Sequence, residues 1–317
     1  MTSPILSIVV PLYNEEKSLP ELYAAIKRVV QQRGIRHEIL FVDDGSTDGS
    51  LAVIEEMQKQ DAAVTVVSFR RNSGKSAALQ AGFDRCQGDV VITMDADLQD
   101  DPNEIPNLMA KLEEGYDLVS GWKKVRHDPI SKTIPSRLWN LVVAWMSGIR
   151  LHDFNCGLKA YRKEVVKDLH VYGEMHRFLP VMAKWSGFRV TEIVVKHHPR
   201  KYGKTKFGVS RFLSGILDLT TVMFLTKYTR KPLHLFGVMG LISMLLGFAI
   251  CVYLAIGWFQ GIWIGNRPIL LLGVLLIVVG VQFFSIGLLG EMLTHSMERQ
   301  ASPSQRPLEE SRDSEIK

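Results

Sequence analysis

Residues 88–102 read GDVVITMDADLQDDP, and this stretch decides what kind of fold the chain has. Val90–Met94 is a β-rich run, apolar except for Thr93, the length of a strand and without the alternation of a sheet that faces water on one side. It ends directly in Asp95-Ala96-Asp97-Leu98-Gln99. Continuous apolar strands belong to sheets covered on both faces, where ligands collect beyond the strands' carboxyl ends. Two carboxylates at i and i+2, with an amide oxygen at i+4, converge on one hard cation when the chain turns there. Such oxygen ligands suit Mg²⁺ or Mn²⁺ bridging a substrate's phosphates. The plain alternative is an acidic helix start favoured by the helix dipole, and the motif alone does not decide between them.

Working outward, strands and helices alternate. Ile5–Leu12, His37–Asp43, Val64–Phe69 and Asp89–Asp95 are short β-rich runs, and Asp117–Gly121 adds a fifth. Lys17–Gln32, Asp48–Gln60 and Ser76–Cys86 carry apolar residues at helical spacing. The expected architecture is therefore a parallel α/β sheet with helices on both faces. Ile5–Leu12 is short and lacks a basic leader, so it reads as the first strand rather than a secretory signal. A further helical segment is expected near Leu138–Ser147.

Polar clusters sit where these strands end. Asp43-Asp44-Gly45-Ser46-Thr47-Asp48-Gly49 closes the second strand, offering acceptors for a ribose or base edge, or simply a strand–turn–helix junction with a capping Ser or Asp. Asn72-Ser73-Gly74-Lys75-Ser76 is not a P-loop, because Phe69 stands where the first glycine belongs. It still offers backbone N–H groups and a lysine close to where a diphosphate would lie. Rival chemistries fail on detail. An EF-hand starting at Asp95 would have Asp100 and Pro106 in place of its Gly and Glu. A dehalogenase-type DxD follows the first strand, whereas here it follows about the fourth. His197 and His198 are adjacent and point to opposite faces of a strand, and neither HxxxH nor GxSxG occurs.

The 317 residues carry a net charge of +5 with 22% charged and 46% apolar residues, which excludes a disordered chain. The charge is uneven. Lys196–Pro232 holds nine Lys or Arg against one acid, Asp218, a segment of +8. Directly after it, Leu235–Phe259 is 25 residues without a charge, and Ile269–Gly290 is 22 residues in which only Gln282 is strongly polar. Each is long enough to cross a hydrocarbon layer of about 30 Å. The link Gln260–Pro268 is short, so the two form an antiparallel hairpin. Lys227, Arg230 and Lys231 before the first span place both termini in the cytoplasm. Residues 208–226 carry a polar stripe on an otherwise apolar helix, suited to the membrane interface. The basic band points to anionic headgroups or phosphates and away from nucleic acid. Three cysteines without a CxxC pair give neither a zinc site nor a disulfide framework.

Taken together, SIVVPLYNEE, FVDDGSTDGS, RRNSGKSAALQAGFD and GDVVITMDADLQDDP, in this order and spacing, resemble glycosyltransferase family 2 across about residues 5–110. HDFNCGLKAYR, the basic RKYGKTKFG and the two spans look like its polyprenyl-phosphate branch, extending the likeness to about residue 295. That branch includes dolichol-phosphate mannose synthases and bacterial undecaprenyl-phosphate sugar transferases. The resemblance implies a Rossmann-like GT-A catalytic domain over residues 1–207 and a juxtamembrane amphipathic region over 208–232. A transmembrane hairpin over 233–295 and a polar tail over 296–317 complete the expected organisation. It implies that Pro11, Tyr13, Glu15, Asp43 and Ser46 hold the nucleoside. Asp95 and Asp97 would be catalytic and, with Gln99, hold Mg²⁺ or Mn²⁺ and the sugar diphosphate. Arg200, Lys204 and Lys206 would close over that diphosphate, and Lys123, Lys124, Arg126 and Arg137 would take the acceptor phosphate. GWKKVRHD departs from the mannose synthase pattern, which puts mannose in doubt. Its partners would be a nucleotide sugar, polyprenyl phosphate, the membrane and further copies of itself, as in tetrameric relatives. Two rivals stand beside it: a processive polysaccharide synthase, which needs a QxxRW motif absent here, and a non-catalytic membrane scaffold.

Overall fold

The computed structural model describes residues 6–124, 140, 142–145, 147–199, 201–202, 221, 232–261, 263 and 267–301. The chain divides into two compact units, Met1–Val222 and Met223–Lys317. The first is built on a seven-stranded sheet of β1 (Leu6–Leu12), β2 (His37–Asp43), β3 (Val64–Ser68), β4 (Val90–Thr93), β5 (Leu118–Trp122), β6 (Lys159–Arg162) and β7 (Val190–Val194). Their spatial order is β3-β2-β1-β4-β6-β5-β7. β1 is buried at every position because it lies mid-sheet under helices on both faces. Helices α1 (Leu19–Gln32), α2 (Ser50–Gln60), α3 (Lys75–Arg85) and α4 (Ile105–Glu113) connect the early strands, and α5 (Lys163–Asp168) and α6 (Leu179–Trp185) follow β6. Leu22, Ile26 and Val30 of α1 and Leu108 and Leu112 of α4 pack with Ile8, Val10, Phe41 and Ile92 of the strands in one core.

The expected strands form, but the sheet is mixed rather than parallel throughout. β6 enters between β4 and β5 and runs antiparallel to both. β6 and β7 add to the five expected strands. β6 has four residues beginning with a lysine, and β7 is a half-buried edge strand without a continuous apolar run. What positions the site is the β1 register. β1 pairs in parallel with β2, Leu12 opposite Asp43, and with β4, Val9 opposite Thr93. The first crossover goes to one side of β1 and β4 returns on the other. The loops after β1, β2 and β4 thus share one carboxyl edge at a topological switch point.

The second unit is a pair of helices, α7 (Pro232–Phe259) and α8 (Pro268–Ala301), both long and apolar enough to cross a membrane. Glycines let their backbones approach. A Cβ on Gly240 would come within 2.6 Å of the Gly280 carbonyl oxygen, and one on Gly247 within 2.5 Å of that of Gly273. Ser243 adds a hydrogen bond from Oγ to the Leu276 carbonyl at 2.7 Å, the close small-residue packing expected where lipid supplies no hydrophobic drive. α8 continues past residue 290, where the apolar run ends, with Glu291 accepting the Leu233 N–H at 3.3 Å. Thr221 and Pro232 apart, the expected interfacial region over 208–232 lies outside the described residues, as does the tail from residue 302.

Candidate active site

The loop after β1 and the loop after β2 are zipped together. Ser46 Oγ accepts the Asn14 N–H at 2.9 Å, Asn14 Oδ1 accepts the Thr47 N–H at 2.8 Å, and Ser50 Oγ accepts the Glu15 N–H at 2.9 Å. Asn14 takes φ +58 to make this turn, a backbone region that asparagine tolerates better than most residues. Asp43 is buried, with Oδ1 accepting the Ser46 N–H at 3.0 Å and Oδ2 accepting the Ser68 hydroxyl at 3.0 Å. Glu15 accepts the Ser18 hydroxyl through Oε2 at 2.8 Å. Pro11 is buried in β1 and Tyr13 is half-buried on the loop beyond it. The five residues expected around a nucleoside therefore cluster at the carboxyl ends of β1 and β2 and on the two loops joined there.

Beside them, β4 runs into Asp95 and Asp97. Asp97 is buried and its Oδ1 accepts the Gln99 N–H at 3.2 Å. Leu98 between them takes φ +62. A left-handed leucine costs about 1–2 kcal/mol, and strain of this kind collects at functional sites. Asp95 contacts the Lys75 ammonium. Burial would raise its carboxyl, but Lys75, Lys123 and Lys159 outweigh that and hold it at about 2, so it is ionised throughout the physiological range. Gly157 backs this carboxylate: a Cβ there would stand 2.5 Å from the carboxyl carbon. A cavity of about 10 Å³, the size of one water, opens here among Lys75, Asp95, Asn155, Lys159 and His176. The Lys159 ammonium donates to the Cys156 carbonyl, and burial lowers its pKa below the ordinary lysine value. Burial, with Lys75 and Arg177 nearby, drives His176 down to about 2, so its ring stays neutral against the Ser76 hydroxyl 3.0 Å away.

Among the described residues, no three His, Cys, Asp or Glu side chains stand together at metal-holding spacing. The donor set is instead two carboxylates, at least one firmly ionised, with room kept for the first by Gly157. This suits a hard divalent cation that takes its remaining ligands from substrate phosphates and water. Gln99 is tied by its backbone, its carbonyl accepting the His198 N–H at 2.9 Å. Asp100 bridges His197, and Asp101 Oδ2 lies 3.2 Å from His198 Nε2, so the segment leading into the basic loop is fastened to the acidic motif.

Two of the four expected acceptor-phosphate cations are described, and they differ. Lys123 is paired with the fully buried Asp100 at 2.9 Å. That attraction outweighs burial and keeps its ammonium well above the usual lysine pKa. Lys124 is exposed, its ammonium 5.6 Å from the Trp122 ring centroid. Trp122 stacks on His152 at 4.0 Å, and His152 contacts Glu192. Arg126, Arg137, Arg200, Lys204 and Lys206 lie outside the described residues. The structure adds Gly157, Lys159 and His176 to the expected site residues. HDFNCGLKAYR contains the first two, but nothing in that string tells that its glycine and lysine fold against Asp95. His176 has no sequence signal at all.

The Glycosyl transferase family 2 profile matches residues 7–170. The dodecaprenyl-phosphate galacturonate synthase of Rhizobium johnstonii is 40% identical over 306 residues, covering 94% of this chain and 90% of its own. An undecaprenyl-phosphate 4-deoxy-4-formamido-L-arabinose transferase of Pseudomonas fluorescens is 40% identical over 294 residues, covering 91% and 84%. Among solved structures, glucosyl-3-phosphoglycerate synthase of Mycobacterium tuberculosis, in complex with Mn²⁺, uridine diphosphate and phosphoglyceric acid, superimposes with a TM-score of 0.53. At 18% identity over 70% of this chain and 78% of that one, it establishes the GT-A-like sheet and no more. A profile match spanning β1 to α5 and near-complete alignment with two sugar transferases lead to one conclusion: the chain belongs to glycosyltransferase family 2.

Proposed function

We propose that this protein transfers one sugar from a nucleotide sugar, a UDP-sugar in our reading, to a polyprenyl phosphate of the undecaprenyl type at the cytoplasmic face of the inner membrane. The observation that carries the proposal is the joining of the DxD carboxylates to the two zipped loops at one sheet edge, in a chain with two candidate spans. Pro11, Tyr13, Glu15, Asp43 and Ser46 face the nucleoside, and Asp95, Asp97 and Gln99 would hold Mg²⁺ or Mn²⁺. When bound, that ion neutralises charge growing on the departing diphosphate. Arg200, Lys204 and Lys206 add fixed positive charge to the same leaving group. The acceptor phosphate monoester has a second pKa near 6 and is mostly dianionic at pH 7, so it attacks C1 without a strong general base. A direct displacement inverts the anomeric carbon. Lys124, Arg126 and Arg137 remain the acceptor cations of this reading, since Lys123 is committed to Asp100. Both termini are cytoplasmic, and the protein works as a homo-oligomer.

Purified protein with Mg²⁺ or Mn²⁺, undecaprenyl phosphate and a panel of UDP- and GDP-sugars tests this. A lipid carrying a single sugar from one donor is expected, with Asp97→Asn lowering turnover at least 100-fold. A polymer, or no turnover with any donor, would overturn the reading.

A further inference from the structure

Lys75 opens α3, and its ammonium contacts Oδ1 of Asp95, the first carboxylate of the DxD pair. The pair is fixed from both sides. Asp44 Oδ1 accepts the Ser73 N–H at 2.6 Å and its Oδ2 accepts the Gly74 N–H at 2.9 Å, so the turn that launches Lys75 is fastened to the end of β2. Gly74 takes φ +91 in that turn, and Gly157 closes the far side of the carboxylate. The other lysines nearby are engaged elsewhere, Lys123 with Asp100 and Lys159 with the Cys156 carbonyl. The Lys75 and Asp95 side chains are 34% and 30% exposed, so an ion from solvent reaches the carboxylate.

An ammonium and a divalent cation compete for the same carboxylate. We propose that Lys75 is the resident counter-cation of Asp95 in the metal-free enzyme, and that a divalent cation binds only by displacing it. This rests on the reading of Asp95 as a metal ligand. Metal alone then binds against a penalty, because it leaves the Lys75 ammonium without its partner in a turn that cannot carry it far. A nucleoside diphosphate removes the penalty by offering phosphate oxygens to both cations. Metal and nucleotide therefore bind with positive coupling, reciprocal by linkage. Lys75 is a positioning residue here, and Asp44 sets where it stands.

Mn²⁺ titration of the detergent-solubilised full chain by electron paramagnetic resonance, with and without UDP, tests this. In the wild type, UDP should tighten Mn²⁺ binding about tenfold or more. Lys75→Met should bind Mn²⁺ alone about tenfold tighter than wild type, with UDP adding little, whereas Lys75→Arg keeps the wild-type pattern. Unchanged or weaker Mn²⁺ binding by folded Lys75→Met overturns the proposal. A second measurement needs no variant: saturating Mn²⁺ should speed acetylation of Lys75 several-fold, read by peptide mass spectrometry, and an unchanged rate also overturns it. A wild type that binds Mn²⁺ neither alone nor with UDP removes the metal reading itself, an outcome distinct from metal binding that ignores Lys75.

Discussion

At the scale of single residues, the site is set by what is missing as much as by what is present. Gly157 presents no side chain to Asp95, and a Cβ there would overlap the carboxylate at 2.5 Å. Since misplacing a reacting group by about 1 Å costs on the order of 100-fold in rate, Gly157→Ala should lower kcat at least that much. Its circular dichroism should stay native, and a rate within threefold of wild type would show that Asp95 does not need this position. His176 makes a different prediction. Its folded pKa of about 2 lies far below the unfolded value near 6.5, so on acidification only the unfolded chain takes up its proton. Stability is full above the unfolded value and is lost as pH falls below it. Between pH 6 and 5 this one group costs about 1 kcal/mol. Thermal melts across that interval should fall less steeply for His176→Asn than for wild type, and parallel slopes would assign the acid sensitivity to other groups.

At the scale of elements, the three strands that build the site, β1, β2 and β4, are legible in the sequence because each is a mainly apolar run that ends in a polar cluster. The later half was not. A strand of four residues such as β6 gives no periodicity, and its antiparallel entry between β4 and β5 is decided by pairing partners far away in sequence. The same applies to Lys123. In GWKK it looks like a free cation, and only the burial of Asp100 beside the His197 bridge explains why it is an internal counter-ion. Asp44 is the converse case. Beside Asp43 it looks like a second ligand for substrate, whereas it serves α3 by accepting two backbone N–H groups. Losing a buried charged acceptor of this kind costs about 1.5–3 kcal/mol. Asp44→Ala should therefore lower Tm by several degrees, and amide exchange at Ser73 and Gly74 should speed up selectively. Uniform exchange across α3 would mean that the turn is held by other contacts.

At the scale of the whole molecule, the two units solve different problems in different solvents. The first buries its own core, with Ile8, Phe41, Ile92 and Leu158 fully enclosed, and its large apolar side chains are mostly hidden. The second exposes its apolar side chains along both helices, among them Leu245, Phe248, Leu275 and Leu289, as befits a hairpin whose solvent is lipid. If the first unit carries the chemistry and the second only keeps it at the membrane, removing the second should change where transfer happens and leave the site intact. Anchoring raises the local concentration of a membrane-bound acceptor without adding a contact, and such effects reach 100-fold or more. The basic residues Lys227, Arg230 and Lys231 would be lost as well, each worth about 1 kcal/mol at an anionic surface. A chain ending at Val222 should therefore keep nucleotide binding and transfer to a short, water-soluble prenyl phosphate within a few-fold of the full protein. On polyprenyl phosphate in anionic vesicles its rate should drop at least 100-fold. Equal losses on both acceptors would mean that the hairpin takes part in building the site, and equal retention on both would mean that the first unit reaches the membrane unaided.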